Sequence, residues 1–335
     1  MADRVIIVGV RRGRERVPTS EITQMTGRVG RRQDGQTCRA DIIVEEDDFE
    51  DVEQEMNSGV SMIVNSALSS VDKLAFHLLP EICSGTIKSI GDAEKWYGKS
   101  FGAFQGKSPK FDKIFKILME SEAIKETPFG FEPTEMGTLS SRLYFNSSDV
   151  KAWRDNFGTI FRMGLEREDL AVAWALGNVP CTRISGDFGK HWYVVGECKG
   201  NMPIGLDIAE GTSITTTLWW SAIGGPSVGK MRNQMLGLRD NFGRIYQALI
   251  GIDQDVSRWG MREFFDELLV RVRKGIPVVL AELCKLPNIT KGRADYLYNM
   301  GVSSAEDIKD NIDNFGDDID EDFTQALRSI ANGVR

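Results

Sequence analysis

Gln24-Met25-Thr26-Gly27-Arg28-Val29-Gly30-Arg31 is the stretch that decides how this chain reads. Gly27 and Gly30 would keep one face of a helix bare, open to close approach. Arg28 and Arg31, three residues apart, would project from the same side. Two adjacent guanidiniums form a fork for the oxyanions of a phosphate group. An arbitrary pair of helical arginines is ordinarily a solvated basic face, but the complete Q-x-x-G-R-x-G-R string points to phosphate. On its N-terminal side, Arg4-Val5-Ile6-Ile7-Val8-Gly9-Val10 is a β-branched run that reads as a buried strand. Thr19 or Ser20 is placed to cap a helix opening at Glu21. On its C-terminal side, Ala40-Asp41-Ile42-Ile43-Val44 reads as a second strand. Strand, helix and strand together look like part of an α/β domain, too small to close a core alone.

The charge balance isolates the same stretch. The whole chain of 335 residues carries −8, with 41% hydrophobic and 27% charged residues, which excludes wholesale disorder and fibrous classes. Met1 to Ala40 nevertheless holds nine arginines against four acids, about +5. Glu45 to Glu55 then holds eight acids and no base, and Glu306 to Asp322 holds nine acids against one lysine. Acid blocks of this kind read as solvated faces or linkers. Five scattered cysteines without a C-x-x-C argue against a disulfide framework or zinc site, and for a reducing, cytoplasmic location. No apolar run approaches the ~18 residues of a membrane span.

Beyond Ser58 the pattern turns helical. Leu68, Val71, Leu74, Ala75, Leu78 and Leu79 keep a one-face stripe, and Phe111, Ile114, Phe115 and Leu118 keep another. Ala123–Thr127 and Phe129–Thr134 read as two short strands around a Pro-Phe-Gly turn. Helices followed by a small β-wing are the layout of a winged helix. From Ser148 to Gly275 helices dominate, at Val150–Met163, Glu168–Leu176, Thr215–Ile223, Val228–Ile250 and Met261–Lys274. Gly177 to Gly211 is glycine-rich and resists assignment. Leu280 to Ile308 reads as helix, tight loop, helix.

At these motifs the chain resembles a family. The octet resembles motif VI, the arginine-finger motif of superfamily 2 helicases, and Ala2–Ile7 resembles the end of their motif V. Phe76-His77-Leu78-Leu79-Pro80-Glu81-Ile82-Cys83 and Pro133–Tyr144 resemble the winged helix of the superkiller-type branch. Within that branch the chain is most similar to the archaeal fork-processing DNA helicases and the polymerase-theta helicase domain. The likeness is strongest over 1–45, 66–146 and 280–308, and weak over 177–240. It implies a mainly α, multidomain chain. Residues 1–47 would be the C-terminal part of a second RecA-like domain, 48–146 a linker and winged helix, 147–278 a helical ratchet bundle, and 279–335 a helix-hairpin-helix with an acidic tail.

The resemblance also implies roles. Arg28 and Arg31 would reach the γ-phosphate of ATP, Gln24 would position the attacking water, and Gly27 and Gly30 would permit the approach. ATP and magnesium would be held mainly by a first RecA-like domain. The sequence has no G-x-x-x-x-G-K-[ST] and no D-E-x-H, so the chain reads as a helicase without its ATP-holding half, inactive and cofactor-free alone. Partners would be single-stranded or forked DNA, as in repair, together with the missing RecA-like half; the chain would be a monomer. Arg244 falls on the family's strand-contacting arginine, and Gly251 stands where the family has a base-stacking tryptophan. Tyr246 or Trp259 could substitute, although both read more readily as core, as do Trp153, Trp174, Trp192, Trp219 and Trp220.

The terminal hairpin, Leu286 to Val302, resembles a helix-hairpin-helix, which offers backbone N–H groups to a DNA phosphate. Asn288 replaces the usual hairpin glycine, Gly292 opens the following helix, and Lys291 and Arg293 could add charge. A helical hairpin used only for packing is the plainer reading. Gly224-Gly225-Pro226-Ser227-Val228-Gly229-Lys230-Met231 imitates a P-loop, but it follows a helix-like stretch and reads as helix stop, turn and cap. His77 reads as a packed histidine, and His191 as the more exposed of the two. The rival to a helicase part is a stand-alone nucleic-acid-binding or interaction protein that keeps motif VI only structurally.

Overall fold

The computed structural model describes residues 4–12, 15–29, 38–58, 66–315 and 319–333, which divide into a compact unit over Met1–Ala67 and a second over Leu68–Arg335.

In the first unit, strand β1 (Arg4–Val8) leads through a short hairpin, β2 (Arg11–Arg12) and β3 (Glu15–Arg16), into helix α1 (Thr19–Thr26). The chain returns as β4 (Arg39–Ile43), parallel to β1 with Arg4 opposite Arg39 and Val8 opposite Ile43, and ends in helix α2 (Glu46–Asn57). Ile7, Val10, Val17, Ile22 and Val52 form its small core. The expectation of a buried strand is corrected: Ile6 (53%), Val8 (77%) and Ile43 (54%) stay exposed, because a two-stranded sheet packs on one face only. The cap is corrected too. Helix α1 starts at Thr19 behind Pro18, and no side chain caps it.

The acid block, read as a solvated face or a linker, is helix α2, solvated over most of its acids, and some of its carboxylates meet the basic block. Arg11 Nε donates to Asp48 at 2.7 Å, and Arg16 lies 3.3 Å from both Asp51 and Glu55. Asp48 is buried, and the hydrogen bonds from Arg11 hold its carboxyl below the usual carboxylate range. Charges 35 and more residues apart are thereby joined.

The second unit is mainly helical. Helices α3 (Val71–Cys83), α4 (Ile90–Tyr97), α5 (Phe101–Phe104) and α6 (Phe111–Glu120) precede an antiparallel hairpin, β5 (Ile124–Thr127) and β6 (Gly130–Pro133). The stripe Phe111, Ile114, Phe115 and Leu118 is buried as its spacing predicts. Ser89, Ser100 and Thr134 cap the starts of α4, α5 and α7 (Glu135–Leu143). A larger core then gathers α7, α8 (Ser147–Met163), α9 (Asp169–Gly177), α10 (Trp192–Gly200), α11 (Ser213–Ala222), α12 (Arg232–Gly251) and α13 (Arg262–Lys274). Helices α14 (Ala281–Lys285), α15 (Lys291–Asn299), α16 (Ala305–Asp310) and α17 (Glu321–Gly333) close around a third cluster that includes Leu283, Ile289, Leu297 and Leu327. No described helix is long and apolar enough to cross a membrane.

Three single-residue expectations change. Trp192 is not core: it is 46% exposed, with its indole N–H donated to Asp187 and its ring 5.3 Å from Phe188. His77 is exposed on the outer face of α3, edge-on to Phe76, rather than packed. Trp220 is only partly buried, whereas Trp153, Trp174 and Trp219 are core.

The hairpin is pinned to the larger core by Glu122, whose carboxylate takes two hydrogen bonds from Arg154 of α8 at 2.6 and 2.9 Å. Those bonds hold the Glu122 carboxyl down to about 2. A folded pKa below the unfolded value means stability that is present above about pH 4.3 and lost as pH falls through about 2. The side chain is half exposed, so solvent screening leaves roughly 1 kcal/mol. Glu122→Gln should therefore be about 1 kcal/mol less stable than wild type at pH 7, with the gap closing near pH 2 in thermal melts. An equal gap at both pH values would contradict this assignment.

Candidate nucleotide and nucleic-acid contacts

Helix α1 delivers the phosphate-type string. Ile22 anchors it in the core at 1% exposure, leaving Gln24 on the outer face. The helix ends at Thr26, so Gly27 does not bare a helix face. Gly27 N–H donates to Thr23 O at 2.9 Å, Arg28 N–H to Met25 O at 3.1 Å, and Val29 N–H to Thr26 O at 3.2 Å. Gly27 and Arg28 thus sit in the turn that closes α1, where Arg28 is exposed. Gly30 and Arg31 lie outside the described residues.

The electrostatics of this unit single out one side chain. Arg4 and Arg39 share Asp41 at 2.7 and 2.6 Å, Arg12 meets Glu21 at 2.5 Å, and Arg11 and Arg16 meet α2. Arg39 and then Arg4 hold the Asp41 carboxyl below its usual range. Among the described residues, Arg28 is the arginine of this unit that makes no ion pair. Five of the arginines behind the +5 of the sequence are thus paired with acids.

On α12, Phe242, Ile245, Ala248 and Leu249 face the core and Arg244 faces out. Arg244 is not wholly at liberty. Its Nη2 donates to Leu143 O at 2.7 Å and Tyr144 O at 2.9 Å, the last carbonyls of α7, and its guanidinium lies 4.8 Å from the Phe145 ring centre. Its Nε and Nη1 make no hydrogen bond among the described residues. Tyr246 is buried and donates its hydroxyl to Asp266, and Trp259 packs 5.1 Å from Phe161. Tyr246 is therefore core, while Trp259 is half-buried. Gly251 is buried against Leu139, so a stacking tryptophan has no room there.

In the terminal hairpin, Asn288 adopts a left-handed φ of 61°, the conformation that the missing glycine would take. Thr290 caps α15, and Gly292 is exposed with open space around it. Both cations already have partners. Lys291 Nζ donates to Gly275 O at 2.9 Å. Arg293 donates to Asn288 O and Asp320, both at 3.0 Å, and lies over Phe323. Arg293 is thus engaged inside the terminal unit, whereas Lys291 stays exposed with one donor tied to a carbonyl.

The P-loop imitation resolves as a turn. Helix α11 precedes it where a P-loop needs a strand, and Lys230 lies 3.9 Å from Asp187. Sequence reading passes over Arg232 and Arg239, which border a cavity with this turn. Their spacing of seven, two helical turns on one face, was the available signal.

Two curated proteins align with most of this chain, both named ATP-dependent DNA helicase Hel308. That of Pyrococcus horikoshii is 23% identical over 321 residues, and that of Pyrococcus abyssi is 24% identical over 326. Each alignment covers 89% of this chain and 44% of the relative, so the chain spans less than half the length of the relatives it matches. No family model matches. The resemblance to Hel308-type helicases is therefore carried by nearly the whole chain, and the protein is helicase-related.

Proposed function

We propose that this chain is the DNA-handling part of an ATP-dependent 3′-to-5′ DNA helicase of the superkiller type. The observation that carries the reading is the likeness to Hel308 over 89% of the chain. The string Gln24–Arg31 supports it, because its Arg28 is the described arginine of the first unit left without an acid. In this reading residues 1–47 end a second RecA-like domain, and 48–146 hold a winged helix built from α3–α6 and the β5–β6 hairpin. Residues 147–278 form a ratchet bundle around α12, and 279–335 form a helix-hairpin-helix with an acidic tail.

Arg28 and Arg31 reach an ATP γ-phosphate held by another RecA-like domain and stabilise the charge that builds on it during transfer. Gln24, one turn earlier on the outer face of α1, orients the water. Magnesium would be held mainly by that other domain and would supply positive charge against that of the phosphates. On the DNA side, the unused Nε and Nη1 of Arg244 and the outward backbone of Asn288–Gly292 meet phosphates irrespective of base. The pairing of Arg293 with Asp320 favours a second reading for the terminal unit alone: an interaction module that keeps the hairpin for packing.

Since the sequence contains no Walker lysine motif and no D-E-x-H, the chain by itself should hydrolyse no ATP above background, with or without single-stranded DNA and magnesium. A steady-state ATPase assay checks this. Turnover that Arg28→Ala abolishes would contradict the division of labour proposed here.

A further inference from the structure

The glycine-rich turn after α11 borders a cavity of about 220 Å3, several times the ~30 Å3 share of one water and roomy enough for a hydrated anion. Its wall is made by Ser221 of α11, the turn itself, the first two turns of α12, Gly275 after α13, and Lys291 at the start of α15. Arg232, Arg239 and Lys291 all line it, and no acidic side chain does among the described residues.

The three cations are fixed in different ways. Arg239 donates from Nε to Ala222 O at 2.9 Å and from Nη2 to Ser221 O at 3.3 Å, the closing carbonyls of α11. Its guanidinium lies against Gly275, where a Cβ would stand 2.1 Å from Nη2 and where a φ of 64° favours glycine. Lys291 is anchored to the carbonyl of that same glycine. Arg232 is exposed and makes no hydrogen bond or ion pair among the described residues. Burial and then the charge of Arg232 push the Arg239 guanidinium below its ordinary value. Elsewhere this acidic chain pairs arginine after arginine with carboxylates, as at Arg11, Arg16, Arg154 and Arg271. Three like charges around one concave site, two of them tied to carbonyls and Arg232 to nothing described, are mutually repulsive until an anion joins them.

We propose that this cavity binds a phosphate group through Arg232, Arg239 and Lys291, and that the backbone of a single-stranded nucleic acid supplies it. Guanidinium and ammonium donors converging from two elements match a tetrahedral oxyanion better than a planar carboxylate. The Ser227 hydroxyl adds a neutral donor at the rim. The string that imitates a P-loop thus becomes a phosphate site of another kind, fed by α12 and α15 rather than by Lys230. Placing the phosphate on a strand rests on the function proposed above; the anion site does not.

Two probes separate these claims: inorganic pyrophosphate, read by thermal shift, and a labelled oligo(dT), read by anisotropy over a salt series. The variants are Arg232→Ala, whose side chain holds nothing in place, and Lys291→Gln, which can still donate to Gly275 O. Lys116→Gln on α6 controls for the loss of one charge. Pyrophosphate should raise the melting temperature of wild type and of the control, but not of the Arg232→Ala/Lys291→Gln double variant. Oligo(dT) affinity should fall roughly tenfold in the double variant. Its log–log salt slope should flatten by about 0.7 for each phosphate that the variant no longer neutralises. Pyrophosphate protection abolished in the variants, with oligo(dT) binding absent or unchanged, would keep the anion site and move its source to free phosphate compounds. Wild-type oligo(dT) binding that no variant alters, with no pyrophosphate effect, would overturn the site while leaving the helicase reading intact.

Discussion

Arg271→Met should lower the unfolding free energy by about 3–5 kcal/mol, the cost of leaving one half of a buried ion pair unpartnered. Arg271 is the most deeply buried charge described in the chain, at 0% exposure on the inner face of α13. It pairs with Asp169 at the start of α9, and burial, its largest influence, holds its guanidinium below the ordinary value. Asp169 also accepts a hydrogen bond from the backbone of Val278, at the entry to the terminal unit. One turn before Arg271, the buried Glu267 pairs with Arg167 at 2.8 Å and Lys285 at 3.4 Å. This network ties α9, α13 and α14 together. Methionine fills the arginine shaft but strands the Asp169 carboxylate, whose pKa burial already raises. Urea denaturation at pH 7 reads the loss. The double variant Arg271→Met/Asp169→Leu should recover at least half of it, because both charges then leave together. A single variant within about 1 kcal/mol of wild type would mean that water, not Arg271, satisfies Asp169.

Gly251→Trp should cost more than about 3 kcal/mol and should not improve strand binding. The family resemblance places a base-stacking tryptophan at this position, so a return to the family residue would be expected to strengthen a DNA contact. The packing forbids it. Gly251 closes α12 against α7, and even a Cβ would stand 2.6 Å from Leu139 Cδ1. An indole there must displace α7, whose last carbonyls Arg244 holds. The helix could shift to relieve the clash only by breaking that contact. Thermal melting and oligo(dT) anisotropy on one preparation separate the outcomes: a collapse of stability is expected, whereas a stable variant with tighter binding would place the stacking site here after all.

Elements with one apolar face were legible in the sequence, because a stripe such as Phe111–Leu118 or Val150–Ile160 records where the core lies. Helix α9 was legible by its continuous apolar run, being buried all round from Ala171 to Gly177. Helix α10 was not. Only Val194, Val195 and Cys198 face inward, between glycines that blur the pattern. The acid block reads as a solvated face or a linker, and most of it is solvated, but its pairing with the basic block was not legible. Its identity as a helix depends on Arg11 and Arg16, more than thirty residues upstream, and no local window contains both partners. The same holds for the site. Arg244 was found by likeness, but its bond to carbonyls one hundred residues away was not visible. Lys291 and Arg293 looked available because sequence shows charge and not direction; Gly275 O and Asp320 take them up. Arg232 and Arg239 were missed because the glycine string before them resembles a P-loop, whose Lys230 lies instead in the short turn before α12, 3.9 Å from Asp187.

The central claim, that this chain handles a DNA strand, is tested most directly by titrating it into a labelled fork with a single-stranded tail at low and at physiological salt. The account predicts saturable binding at low salt that weakens steeply as salt rises, since its contacts are to phosphates, and a preference for the tailed fork over blunt duplex. Absence of binding at low salt up to high micromolar protein would contradict it.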